Sequence, residues 1–109
     1  RLLHVASGKY LKTHDVASPL TKTNMEVTVI DLDDPNVKEA EKKCTVWTID
    51  IDGKNKNGHM VRAHAHNILL KNEVHKVYLN NHQMPLPKWG FNQREINGDK
   101  RGVSKTCRW

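Results

Sequence analysis

The sequence repeats itself, and this restricts its fold more than any other property. Setting His14 on His82 gives an offset of 68 residues. At that offset Leu2 meets Leu70, His4 meets Asn72, Tyr10 meets Tyr78, Leu11 meets Leu79 and Pro19 meets Pro87. Further on the offset becomes 69, where Glu26-Val27 meets Glu95-Ile96, and then 62, where Trp47 meets Trp109. The first copy is thus longer by seven residues, a surplus the stretch DDPNVKEAEKK (33–43) can supply. A tandem unit buries its apolar face against its neighbour, so a repeat sets the architecture before local preferences do.

Within each copy, short apolar runs alternate with turn residues, the mark of an all-β chain. The expected strands are LLHV (2–5), YLKTH (10–14), MEVTVIDL (25–32), TVWTIDI (45–51), HMVRAHA (59–65), NILLKN (67–72), KVYLNNH (76–82), REING (94–98) and TCRW (106–109). ASGK (6–9) and GKNKNG (53–58) read as turns. In the fourth run Trp47, Ile49 and Ile51 fall on one face, as in a half-buried strand. Segment 33–43 departs from this pattern. Asp34 is placed to cap a helix and Pro35 to open it, but so short a helix is marginal alone. It is expected to be a surface insertion with one or two helical turns. The copies are then residues 1–52 and 59–109, each with about four short strands. Four-stranded units build propeller blades or β-trefoils. A trefoil closes its barrel with three copies, and two are present.

Composition narrows the class. The chain has 109 residues, enough for one domain with a small core. No run approaches the roughly 20 apolar residues of a membrane-spanning helix, and RLLHVASGKY is not a signal peptide. Opening on Arg1 in a strand-like stretch, the sequence reads as a cut inside a longer protein. The net charge is +6, from 18 basic and 12 acidic residues. The lysines are scattered, with Lys42-Lys43 beside Glu39 and Glu41, so the charge lacks the clustered footprint of a nucleic-acid binder. Cys44 and Cys107 form neither a CxxC pair nor a disulfide framework. Lying three and two residues before the repeated tryptophans, they read as occupying equivalent places, which in a trefoil are a threefold rotation apart, so both are expected to be free.

The seven histidines invite a metal reading, strongest at His59, His64 and His66. Zinc needs three or four convergent ligands, and no Cys or acidic residue stands at such spacing, so no metal is expected. His14-Asp15 resembles part of a catalytic dyad, yet catalysis needs a nucleophile, a base and an orienting group together. A buried imidazole that stiffens a repeated strand end by bonding backbone carbonyls explains His14 and His82 better. Trp89, beside Gly90 on a loop with Pro87 and Gln93, has two readings: a platform for a sugar ring, or a plug in the barrel's base. Trp47 and Trp109 are expected in the core.

The stretches LKTHDVASPL and LPKWGFNQREI resemble successive repeats of the MIR domain, most closely the version in protein O-mannosyltransferases. The residues carrying the resemblance are Leu11, His14, Asp15, Val16, Ala17, Pro19 and Leu20, then Leu86, Pro87, Trp89, Gly90, Phe91, Gln93 and Glu95. The resemblance implies a β-trefoil with two of its three repeats in this chain. It implies a place on the luminal side of the endoplasmic reticulum, within a multi-pass, dimeric membrane enzyme that moves mannose from dolichyl-phosphate mannose to Ser/Thr. The family's catalytic acids lie outside the module, so no catalytic residue and no cofactor are expected here. The implied work is binding acceptor polypeptide or mannosylated glycan. Candidate contacts are His14 and Asp15 in one repeat and His82, Gln83, Trp89 and Gln93 in the other. The alternative is a purely structural or protein-interaction module, as in the MIR domains of calcium-release channels or secreted chaperone-associated factors. Gln83 stands where the first copy has Asp15, and Asn72 where it has His4, so any shared pocket has diverged.

Overall fold

The structure, a computed structural model, describes residues 1–51 and 60–109. Seven strands follow one another: β1 (Leu3–His4), β2 (Lys9–Ala17), β3 (Met25–Ile30), β4 (Trp47–Ile51), β5 (Ile68–Asn72), β6 (Tyr78–Pro85) and β7 (Arg94–Asp99). One short helix, α1 (Glu39–Lys43), interrupts them, and 3-10 turns lie at Lys88–Gly90 and Lys105–Cys107. All described pairings are antiparallel, in the order β1-β2-β3-β7-β6-β5-β4, and the sheet curls into a half-barrel. The all-β expectation therefore holds.

The halves of the chain carry the same bonds at the offsets read from the sequence. Leu11 pairs with Val29 and Leu79 with Gly98; the β2–β3 ladder breaks between His14 and Ala17, the β6–β7 ladder between Asn81 and Pro85. The first turn of each half closes alike, with Gly8 N–H donating to His4 O at 2.9 Å and Lys76 N–H to Asn72 O at 3.0 Å. Both turn residues need a left-handed backbone, φ 67° at Gly8 and 56° at Lys76. Glycine adopts it freely, whereas lysine does so against its Cβ. The indole N–H of Trp47 donates to Leu11 O at 3.0 Å, and that of Trp109 to Leu79 O at 3.1 Å.

The apolar core is small: Trp47, Leu70 and Leu79, with Leu2, Leu11, Val27 and Ile68 packed on it. Each such side chain contributes about 1.5–3 kcal/mol on full burial. Much of the remaining interior is polar, with Thr13, Thr45, Asn72 and Asn97 fully buried, so hydrogen bonds must close what apolar packing does not. The main lock between the halves is Glu95 on β7. Its carboxylate accepts from Ser18 Oγ, from Leu20 N–H at 2.9 Å and from Thr21 Oγ1 at 2.9 Å, all on the β2–β3 loop. Asn97 Oδ1 extends the lock, accepting from Asn24 and Asn80, each at 2.9 Å.

Four local expectations are corrected. Residues 60–67 form no strand, because Arg62 O takes the N–H of both Ala65 and His66 and closes a turn; His59 and the 53–58 turn lie outside the described residues. TCRW is not a strand either. Ser104 caps a 3-10 turn by accepting from Thr106 N–H, although Trp109 still exchanges both backbone bonds with Ile68 at 3.0 Å. Asp34 and Pro35 do not open the helix. Asp34 Oδ1 instead accepts from Asn36 N–H at 2.9 Å, and α1 begins five residues after Asp34, where Glu41 Oε2 accepts from Lys38 N–H at 3.4 Å. Finally, Trp109 and Ile49 are exposed rather than core: β4 ends the sheet and leaves Ile49 uncovered, while Trp109 keeps only its indole N–H tied inward.

Candidate ligand-binding site

A cleft of ≈ 180 Å³ opens between β2, α1 and the β5–β6 turn. The strand supplies Lys12, Thr13, His14 and Asp15, the inserted segment Ala40, Glu41 and Cys44, and the second half His75. Lys12 Nζ donates to Glu41 Oε1 at 2.9 Å. That bond, the Lys38 N–H and the lysine's charge hold the Glu41 carboxyl below the usual carboxylate range. Burial pushes the Cys44 thiol up. Asn72 builds the turn that presents His75: its Oδ1 accepts from Val74 and His75 N–H at 3.1 Å each, and its Nδ2 donates to Cys44 O at 2.7 Å. Thr13 Oγ1 lies 2.6 Å from His75 Nδ1. This is the hydroxyl–imidazole contact that an activated nucleophile requires, but Thr13 is only 1% exposed, out of reach of a substrate. The contact is structural, and the open rim of the cleft carries Asp15 and His14.

A second cleft, of ≈ 230 Å³, lies at the matching place in the second half, between Asn81, Gln83 and Arg94 and the segment Lys105–Trp109. Asn81 corresponds to Thr13 and Gln83 to Asp15 at 68 residues, and Thr106 to Cys44 at 62. The same 62-residue offset makes the buried Thr45 the counterpart of the buried Cys107. The cysteines are therefore not equivalent to each other. Both are free thiols, with Cys44 Sγ on Ala40 O and Cys107 Sγ facing Asn80 Oδ1 at 3.6 Å.

The structure brings His14 and Asp15 together in the first cleft and places Gln83 in the second. It does not bring His82, Trp89 or Gln93 into either. His14 is not a buried strand-end imidazole. Its side chain is half exposed and its Nδ1 lies 3.8 Å from Glu26 Oε2, because the ladder breaks immediately after it and turns the ring outward. His82 does brace the matching break, accepting from Met84 N–H at 3.4 Å. Trp89 stands 63% exposed beside the exposed Phe91, so in this chain it plugs nothing. Its loop is nevertheless fixed, by Leu86 N–H to Gln93 O at 2.7 Å and Gly90 N–H to Pro87 O at 2.8 Å. Any larger residue at Gly90 would meet Leu86, since a Cβ there would sit 2.5 Å from Leu86 Cβ.

Sequence reasoning missed Glu41, His75 and the lock residue Glu95. Glu95 was visible as a repeat landmark, and the polar pair Ser18 and Thr21 in the other copy's loop was the available hint of what it holds. Among the described residues no three His, Cys, Asp or Glu side chains stand close enough to hold a metal ion. Among them, too, no helix is long and apolar enough to cross a membrane.

A family model described as the MIR domain matches residues 1–109. Dolichyl-phosphate-mannose–protein mannosyltransferase 4 of Saccharomyces cerevisiae is 34% identical over 110 residues, covering 100% of this chain and 14% of its own. The protein of the same description in Candida albicans is 36% identical over 115 residues, covering 100% and 15%. The chain thus spans about one-seventh of the length of these curated relatives. Among solved structures, the Saccharomyces cerevisiae protein O-mannosyltransferase Pmt1-Pmt2 complex bound to the sugar donor matches with a TM-score of 0.79 at 25% identity, over 100% of this chain and 15% of that one.

Proposed function

The chain belongs to the MIR domain family, and from that premise we propose that it is the non-catalytic luminal module of a protein O-mannosyltransferase. In this reading the whole protein is a multi-pass, dimeric enzyme of the endoplasmic reticulum that carries mannose from dolichyl-phosphate mannose to Ser/Thr. The module holds acceptor polypeptide or mannosylated product. Its halves, 1–52 and 59–109, are two of three trefoil repeats, with 33–43 inserted in the first.

One observation carries the binding reading: the repeat places a cleft at the same position in each half, and each has on its lining some side chains able to bond hydroxyls. Asp15, His14 and Glu41 offer acceptors in one, and Gln83 and Thr106 offer amide and hydroxyl in the other. The exposed indole of Trp89, on a hydrogen-bonded loop, adds a flat apolar surface of the kind a pyranose face covers. A glycan and glycopeptide array tests the reading. Retention of α-mannosides or O-mannosylated peptides, weakened at least tenfold by Asp15→Ala or Trp89→Ala, is the expected result. No retention of any mannoside would leave a scaffold role.

A further inference from the structure

The first cleft does not stop at Asp15. A neighbouring cleft of ≈ 170 Å³ starts from the same residue and continues along Val16, Thr23 and Met25 to Lys100, so Asp15 lines both. The β2–β3 ladder explains the junction. His14 pairs with Glu26 and Ala17 with Met25, which leaves Asp15 and Val16 without partners on β3. A strand released from its ladder in this way bends and re-aims its side chains, and both residues are exposed.

The far wall follows from the next pairing. Met25 lies opposite Gly98 on the antiparallel β7, and continuing that register brings Thr23 beside Lys100. The walls are also tied down. Ser18 N–H donates to Asn24 O at 2.9 Å, and Asn24 Nδ2 donates to the buried Asn97 Oδ1 at 2.9 Å. The two clefts thus form one groove, with a carboxylate at the junction and an ammonium on the wall of the second compartment.

The compartments suit different chemistry. The Asp15 carboxylate only accepts, and sugar hydroxyls can donate to it. Beyond it, Val16 and Met25 offer apolar flanks and Thr23 a hydroxyl, a lining that fits a short length of polypeptide. Lys100 sets the sign of the charge favoured there.

We propose that the groove holds a mannosylated peptide, with the sugar on Asp15 in the first compartment and the peptide in the second, where Lys100 favours an acidic residue next to the mannosylated Ser or Thr. The proposal rests on the mannose-binding reading and deepens it by giving the peptide its own contacts and a charge preference.

The test is a calorimetric titration of the intact protein with peptides carrying one O-mannosylated threonine flanked on both sides by Glu, Gln or Lys. The unglycosylated Glu peptide and methyl α-mannoside serve as references. The Glu glycopeptide should bind about threefold more tightly than the Gln one, the worth of one exposed ion pair, and the Lys one more weakly still. These differences should shrink as salt rises. Lys100 is exposed, and Lys100→Glu should reverse the order. Lys9→Glu makes the same change of net charge on an exposed residue about 20 Å along the strand from Asp15, and should leave the order as it is.

An order that Lys100→Glu does not change, or that Lys9→Glu reverses equally, would overturn the proposal. Glycopeptides binding no better than methyl α-mannoside would overturn it too, and leave the mannose reading standing. An unglycosylated Glu peptide that binds as tightly as its glycosylated form, with Lys100→Glu weakening both, would support the peptide compartment and count against the mannose reading. Binding by none of the probes would overturn both.

Discussion

At the scale of single residues, the repeated tryptophans are the clearest case of one chemistry used twice. Each indole buries part of its ring and ties its N–H to the carbonyl of a leucine in its own half. Trp47→Phe keeps most of the apolar contact but orphans Leu11 O. We expect a loss of about 1 kcal/mol, the net value of one such bond, read from the urea midpoint. Trp109→Phe should cost less, because Trp109 is 43% exposed and water can replace the lost donor. Lys76 offers the opposite experiment. Its left-handed backbone matches that of Gly8 in the other half, and Lys76→Gly should raise stability by about 0.5–1 kcal/mol by removing that strain. The thiols should also separate. Burial pushes Cys107 up to about 11, and it is fully inaccessible, so a thiol reagent should modify Cys44 first and Cys107 only on unfolding.

At the scale of elements, Glu95 decides how β7 holds the β2–β3 loop. Burial raises its carboxyl, but the bonds from Ser18, Leu20, Thr21 and Asn97 together outweigh it and hold the group below the usual carboxylate range. The sign follows from linkage: with the folded value below the unfolded one, Glu95 adds stability above the ordinary carboxylate pKa. That stability is lost as pH falls through the folded value. Glu95→Ala should destabilise by about 2–4 kcal/mol, since several buried donors lose a charged acceptor. Glu95→Gln should flatten the acid limb of the stability profile measured by denaturation between pH 7 and 3.

The lock also shows what a sequence discloses. Its landmark was readable, because Glu26-Val27 and Glu95-Ile96 align in the two halves. Its role was not, because Glu95 grips a backbone N–H 75 residues away, and the equivalent Glu26 grips nothing comparable, lying instead 3.8 Å from His14. Local chemistry overrode repeat logic elsewhere too. Ser104 capped a turn where TCRW promised a strand, and Asp34 spent its acceptor on Asn36 instead of a helix.

At the scale of the whole molecule, the repeat, the strand pairing and the family were legible because they rest on landmarks such as Tyr10, Leu11 and Pro19 that recur in order. The clefts were only half legible. His14, Asp15 and Gln83 could be picked out from the motifs, but each cleft is completed by segments far away in the chain. His75 arrives from the next half, and Glu41 from an insertion with no counterpart. Trp89 and Gln93, neighbours of the motif in sequence, line neither cleft.

That these repeat-equivalent clefts bind sugar is the reading on which the proposed function stands. Its most direct test is a two-dimensional amide NMR titration of the protein with an O-mannosylated peptide, against the same peptide unmodified. Saturable shifts that need the mannose and cluster at Thr13–Asp15 and His75 or at Asn81–Gln83 and Thr106 are expected. Shifts equal for both peptides, or absent from both clefts, would contradict it.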